Sequence, residues 1–530
     1  MEPSQAIELA LEHHRSGEFA QAETIYRQLL TVHPECFDAW HLLGVLSRQT
    51  GKVADAIELI AKALSINDRE PAAFNNLGVA YQAAGQPHEA EIRYRRALLL
   101  RPDYADAHYN LGIVLGETGR YGEAETSYRN AARFNPGGVK AWNNLGATLR
   151  ELGKPEEAVA AYEKAVALGP SADICGNLGA TLRGLGRVKD AETAYRKAIA
   201  LDPDFVEAHH NLALVLLLQG NYEEGLARYE SRFGVGTGKR YQELILSRFP
   251  PQGRWRGEPL TGRSLLVVTE QGFGDSLMMM RYLPLLKGEK LQRLTVCCHS
   301  PSLFRMMRTI PGVDDVTLLE EVDFLGEFDL YCPIMSLPYL LGSRLETIPH
   351  SFPYLTAPLG MKAFWRNRLD GMKGMKVGLA WAGCRLNQAD AQRSIHLNSL
   401  APLMTAKGVR FVSLQQGDEA RRQLKSLCWE ITDWMDECPD FLDTAALVDE
   451  LDLIITVDTA IAHLAGGLGK PVWLLNRFAS EWRWMMGRDD SPWYPGMKIF
   501  RQQFPGDWEG VIRRIAQEPA IRRGNNRWGE

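Results

Sequence analysis

Four stretches of this 530-residue sequence carry side chains that could do chemistry. In LLVVTEQGFGDSLMMMRYLP (265–284) an apolar run breaks at two glycines and Asp275, and an amphipathic helical pattern follows. In ELDLIITVDTAIAHLAGGLGKPVWLL (450–475) a second apolar run ends at Asp458-Thr459, and His463 lies four residues beyond the threonine. Trp381-Ala-Gly383 leads toward Arg393-Ser394, and SLQQGD (413–418) brings Gln415 and Gln416 to the end of a third run. A carboxylate at a strand-to-helix turn can act as a general base. Backbone N–H groups at a helix start can hold a phosphate, with Thr459 as the cap and His463 on the same face. Taken alone, Asp275 or Ser276 is only the N-cap of a helix over Ser276–Leu286, and a lone histidine is a core residue. It is the convergence of aspartate, helix start and histidine on one edge that points to a site. Gly272-Phe-Gly274 begins like a dinucleotide fingerprint, but Leu277 stands at the third glycine position and no acid follows at the expected distance. NAD and FAD are therefore excluded.

These residues need a frame that brings strand ends together. From Ser264 onward, β-rich runs alternate with helical ones: LLVV, LTVCC and DLYCP, then VGLAWAG, VRFVSLQ, LDLIITV and PVWLL. Alternating βα units predict parallel sheets covered by helices, with ligands at the carboxyl ends of the strands. Two series separated near residues 355–375 predict two Rossmann-like halves facing a cleft, over 263–365 and 366–530. Glycines 234–238 and Pro250-Pro251 mark a linker over 235–262.

Residues 1–234 repeat themselves. Ala22, Ala56, Ala90, Ala124, Ala158, Ala191 and Gly225 recur every 33 or 34 residues, each followed four later by Tyr26, Ile60, Tyr94, Tyr128, Tyr162, Tyr195 and Tyr229. Leu-Gly pairs open most units and prolines close five of the first six. Small residues let two helices approach, aromatics fill the gap and proline stops the second helix. Over these seven units the sequence resembles the tetratricopeptide (TPR) family. In that family the first helix of each pair lines the concave surface. FNNLG, HYNLG, WNNLG, CGNLG and HHNLA place Asn76, Asn110, Asn144, Asn177 and Asn211 at one equivalent position there. An amide both donates and accepts, which suits an extended peptide backbone; bonding within each repeat is the plainer alternative. The ladder resembles that of TPR-containing peptide O-GlcNAc transferases. Glu8 and Leu42 replace it in repeats one and two, so a groove would start at repeat three.

Composition sets the outer limits. A net charge of −5 supplies no basic footprint for nucleic acid. No run approaches the roughly 18 apolar residues of a membrane span, and the acidic first residues predict a cytoplasmic chain without a signal peptide. Eight cysteines lack CxxC spacing and predict buried thiols, with neither disulfides nor zinc.

GxGD before a helix, together with VDTAIAHLAGGLGKP, resembles the lipopolysaccharide heptosyltransferase family of GT-B glycosyltransferases over residues 263–510. The whole architecture, an all-α TPR superhelix followed by an α/β GT-B module, resembles bacterial TPR-linked glycosyltransferases, including those that modify flagellin. The resemblance implies Asp275 as base toward an acceptor hydroxyl. Asp458, Thr459 and His463 would hold a nucleotide-sugar donor, with His463 near the diphosphate and Arg393 stabilising it as it leaves. Gly274, Trp381 and Gln415 count as further donor-side residues; for the glutamines, ordinary loop polarity is an equal alternative. Metal-using transferases present Asp-x-Asp; Asp202-Pro-Asp204 lies at a repeat boundary and reads as a turn, so a metal-free, inverting displacement is expected. The aromatic run EWRWMMGRDDSPWY (481–494) reads as packing more readily than as a lid, and Arg488, Asp489 and Asp490 as solvated. Two other readings stay open: a TPR scaffold whose GT-B module binds nucleotide without turnover, and a sugar-nucleotide epimerase that would leave the repeats without a task. A homo-oligomer built through an end repeat is a further expectation.

Overall fold

The computed structural model describes residues 2–270, 272–322, 328–383 and 390–523. The chain divides into two compact units, 1–203 and 204–530.

The first unit is built of helical hairpins, from Pro3–Arg15 and Phe19–Val32 to Ala172–Gly184 and Val188–Leu201. The repeat's landmark residues meet as their sizes require. Tyr94, Tyr128, Tyr162 and Tyr195 are buried, each against the glycine of a Leu-Gly pair. A Cβ at Gly78 would lie 2.6 Å from the Tyr94 ring, and one at Gly112 would lie 2.7 Å from that of Tyr128. Any larger residue would separate the helices. The hairpin turns use a second glycine series, exemplified by Gly85 and Gly119 at φ 71° and 75°, a left-handed conformation costly for other residues.

The second unit begins with the seventh hairpin, Val206–Leu218 and Tyr222–Tyr229. The compact boundary thus falls one repeat before the sequence period ends. Tyr222 accepts a hydrogen bond from Trp493 Nε1 at 3.0 Å, and Trp482 packs on both Tyr222 and Tyr229. Residues 235–262, read as a linker, are packed as well. Tyr241 and Leu246 join Leu266, Val268 and Tyr331 in a shared core. The Trp255 N–H donates to Tyr331 O at 2.9 Å.

Two parallel sheets follow. The first contains β1 (Ser264–Val268), β2 (Arg293–Cys298), β3 (Asp315–Leu318) and β4 (Leu330–Pro333), in the order β3-β2-β1-β4. The second contains β5 (Met375–Ala380), β6 (Val409–Ser413), β7 (Ile431–Asp433), β8 (Leu453–Val457), β9 (Val472–Asn476) and β10 (Met497–Arg501). Its order is β10-β9-β8-β5-β6-β7, all parallel. The central strands are buried on both faces, as parallel strands under helices must be. The helix Leu359–Leu369 joins the second sheet's side through Arg366–Glu450 and Lys362–Asp449 ion pairs of 2.9 and 2.6 Å. Among the described residues no helix is long and apolar enough to cross a membrane, and no group of His, Cys, Asp and Glu could hold a metal.

Candidate functional site at the carboxyl ends of the two sheets

β1 runs out at Val268, Gly272 sits at the N-cap, and Asp275 falls in the first turn of the Phe273–Met279 helix. β8 ends at Val457 and feeds the Ala460–Gly467 helix, with Thr459 at its N-cap. The two helices pack directly on one another, and the glycine that mimicked a dinucleotide motif is the reason. A Cβ at Gly274 would lie 2.6 Å from His463 Cδ2 and 3.2 Å from Nε2. Gly274 is a point of close approach between the halves, which leaves it no side chain with which to hold a donor. Asp275 and His463 are thereby brought to one place although one belongs to each half.

Asp275 Oδ1 accepts a very short hydrogen bond from Arg483 Nη2. The guanidinium is only 12% exposed and the carboxylate 28%. Trp482 lies 4.7 Å from Arg483 Cζ, and Glu481 Oε2 is 3.9 Å from Nη1. Burial raises the pKa of Asp458, and the Glu481 carboxylate raises it further; Arg483, the Trp484 indole and Arg393 pull the other way. Asp275, Glu481 and Asp458 thus surround the Arg483 guanidinium electrostatically.

His463 is 4% exposed. Its Nδ1 is 2.8 Å from the Tyr494 hydroxyl, and its ring stacks on Trp484 at 5.1 Å. Burial, aided by Arg483, Arg281 and Arg393, pushes its pKa well below 6.5. The imidazole is thereby kept uncharged near neutral pH, so what it offers a diphosphate is a hydrogen bond and not a charge. Thr459 Oγ1 makes no cap bond and instead lies 3.2 Å from Thr456 Oγ1.

The loop after β5 is held by a small network. Gly383 N–H donates to Ser394 Oγ at 2.9 Å, and Ser394 Oγ donates to Asp390 Oδ1 at 2.9 Å. Arg393 Nε approaches Asp390 Oδ1 at 3.3 Å. A Cβ at Gly383 would lie 2.6 Å from Arg393 Nη2, so this glycine makes room for the guanidinium. Residues 384–389 of this segment lie outside the described residues.

Two expected donor contacts are corrected. Gln415 is buried and spends its amide on the chain: Oε1 accepts from the N–H groups of Trp381 and Ala382, and Nε2 donates to Ala382 O and Gln416 O. With both ends occupied it is a clamp for the β5 loop, while its neighbour Gln416 is exposed. The Trp381 ring is fully buried in the second sheet's core, which leaves it no face for a nucleotide.

The Asn ladder is half-buried, and its amides are partly committed. Nδ2 of Asn76, Asn110 and Asn144 approaches His41 Nε2, Asn75 Oδ1 and Tyr109 Oη at 2.9, 2.9 and 3.4 Å. Each bond reaches back 35 residues to the preceding repeat, which neither sequence reading anticipated. Asn177 follows the one short, 33-residue spacing. Among the described residues it makes no such bond, and Asn143 Oδ1, in the place of the acceptor, is buried without a partner. In the second unit Asn211 is half-buried too.

The largest omission was the aromatic run. Trp482 and Trp493 do pack, but Arg483 between them pairs with Asp275, while Trp484 and Tyr494 frame His463. An arginine set between two tryptophans was the available signal. Among the described residues, six buried polar atoms at the second sheet's carboxyl ends and the following loop lack hydrogen-bond partners. They are Trp381 Nε1, Asn476 Oδ1, Arg483 Nε, Trp484 Nε1, Arg501 Nη1 and Gln502 Nε2. Five are donors, and a buried donor left unpaired is costly.

The first half of the chain matches tetratricopeptide-repeat family models at residues 7–72 and 113–173, 69–135 and 179–220. The chain is thus a TPR-containing protein with a C-terminal α/β unit. It is 31% identical over 328 residues to Protein FlbA of Caulobacter vibrioides, covering 57% of this chain and 53% of FlbA. The chain therefore spans about half the length of that curated relative. Among solved structures, the MamA protein is 26% identical with a TM-score of 0.29, covering 31% of this chain and 91% of MamA. YrrB, described as a TPR protein with an unusual peptide-binding site, is 22% identical with a TM-score of 0.32, covering 35% of this chain and 96% of YrrB.

Proposed function

We propose that the second unit is a glycosyltransferase of GT-B type that moves a sugar from a nucleotide-diphosphate donor to a Ser or Thr hydroxyl of a polypeptide. The observation that carries this reading is the pairing of Asp275, from the first half, with Arg483, from the second, beside unpartnered donors at the second sheet's carboxyl ends. A base stands on one wall and anion-binding groups on the other. The acceptor oxygen attacks the anomeric carbon, its proton passes to Asp275, and the bond from that carbon to the diphosphate breaks. Arg393 and Arg483 offset the charge on the leaving group, and neutral His463 contributes a hydrogen bond. Attack opposite the leaving group inverts the anomeric centre, with no metal required. The TPR repeats hold the polypeptide, flagellin being one acceptor to try, through the ladder carbonyls not already bonded between repeats.

The test has two arms. Thermal stabilisation is measured with UDP, GDP, ADP, CMP and dTDP on the wild type and on Asp458→Ala. One nucleotide at about 100 times its Kd should stabilise by roughly 2.7 kcal/mol, and the variant should lose this. Sugar transfer to a peptide from the matching donor should vanish in Asp275→Ala while nucleotide binding persists. Binding without any transfer by the wild type would favour a scaffold with an inactive module. No stabilisation by any nucleotide would refute the donor site.

A further inference from the structure

We infer that Asp275 and the donor's diphosphate compete for Arg483, so that donor binding is what releases the base. The inference rests on the proposed function and adds an order of events to it. Arg483 is the cation that crosses between the halves to the proposed base, whereas Arg393 is held by Asp390 from its own loop. A guanidinium has five N–H donors. Those of Arg483 are spent on one carboxylate oxygen of Asp275 and a 3.9 Å approach to Glu481, and among the described residues its buried Nε has no hydrogen-bond partner. Its geometry is therefore under-used by the protein, and a diphosphate presents more oxygens than Asp275 does. Trp482 beneath the guanidinium limits where it can travel. Conversely, the lone pair of Asp275 Oδ1 that accepts from Arg483 cannot at the same time accept the proton of an acceptor hydroxyl. Transfer of Arg483 to the phosphate oxygens frees that oxygen at the moment the sugar arrives. A chain holding no donor would keep its base occupied, which also protects against loss of sugar to water by a base acting early.

Competition for one partner makes a definite thermodynamic prediction, because coupling between two sites is reciprocal. Isothermal titration with inorganic pyrophosphate and the five nucleotides is run on the wild type, Asp275→Asn, Arg483→Gln and the double variant. Removing the competing charge should tighten binding of the selected nucleoside diphosphate by about 5-fold or more in Asp275→Asn. Arg483→Gln should weaken it at least about tenfold, and adding Asp275→Asn to that variant should then change nothing. Arg483→Lys, which keeps the charge, should restore part of the Asp275→Asn effect, and urea midpoints exclude unfolding as the cause of any loss. Equal or weaker binding in Asp275→Asn, with the wild type binding normally, overturns the competition and leaves the donor site standing. Unchanged binding in Arg483→Gln does so too. Failure of every probe to bind the wild type overturns both.

Discussion

Substituting Gly274 by alanine tests whether the two halves close as the site requires. The added Cβ would lie 2.6 Å from His463 Cδ2, whereas ordinary contact begins at 3.4 Å, so something must yield by 0.8 Å. The imidazole is pinned by Tyr494 at 2.8 Å and by the Trp484 stack at 5.1 Å. Tyr494 in turn has no room to retreat, because a Cβ at Gly466 would already lie 2.4 Å from its ring. Overpacking of this kind costs about 1–3 kcal/mol. Alanine in a helix regains roughly 0.5–1 kcal/mol relative to glycine. The net expectation is a loss of about 1–2 kcal/mol, read from urea unfolding of the full chain. Pairing the change with His463→Ala isolates the contact. In that background Gly274→Ala should become neutral or stabilising, giving a coupling of about 1 kcal/mol or more. A stabilisation of the same size in both backgrounds would show propensity acting alone, and the approach of Asp275 to the β8 helix would be refuted.

Three further outcomes follow from the same geometry. Gly112→Ala drives a methyl to 2.7 Å from the buried Tyr128 ring; it should cost the repeats about 1–3 kcal/mol by calorimetry. Asp458→Asn should be more stable than the wild type at pH 7, since a folded-state pKa raised above 3.8 destabilises the ionised form, and the gain should disappear as pH falls toward 3.8. His463, held neutral, contributes stability above pH 6.5 that is lost on acidification at up to about 1.4 kcal/mol per pH unit; burial lowers His299 to about 4, adding the same trend. Urea titrations between pH 7 and 5 should show a shallower decline for His463→Gln.

What the sequence disclosed and what it concealed have distinct physical causes. The repeat was legible because every unit must solve the same packing problem, so Gly112 and Tyr128 recur in register. Central strands such as β8 and β9 were legible because burial on both faces demands continuous apolar runs. The strands missed, β3, β7 and β10, all lie at sheet edges, where solvent relaxes the composition. Asp275, Asp458 and His463 could be nominated because each follows a readable strand. Arg483 could not, because it stands 208 residues from the carboxylate it binds and no period links the two. Gln415 misled for a related reason. A buried amide clamping a loop and an exposed amide reading a base look alike until the partners are seen.

Arg281 shows how the pocket is kept in register, and it supports a last prediction. It is a buried cation for which no carboxylate forms an ion pair among the described residues. Its nitrogens donate to Met278 O at 3.0 Å, Trp493 O at 2.8 Å and the Tyr354 hydroxyl at 3.1 Å. The rings of Tyr354 and Tyr494 lie 4.6 and 4.9 Å from Cζ. Arg281 and Tyr354 belong to the first half and Trp493-Tyr494 to the second, so one side chain ties the two halves. Methionine would fill much of the volume and spare the desolvation of a charge, which often makes such replacements harmless. Here it would also leave two buried carbonyls without donors, at about 1–3 kcal/mol each. The second effect should prevail, with Arg281→Met less stable by about 2–4 kcal/mol in urea. Because Tyr494 holds His463, nucleotide affinity should fall as well, even under conditions where the variant is fully folded. A variant as stable as the wild type would mean that the halves are held by aromatic packing alone, and the arginine would lose its place in the account of the site.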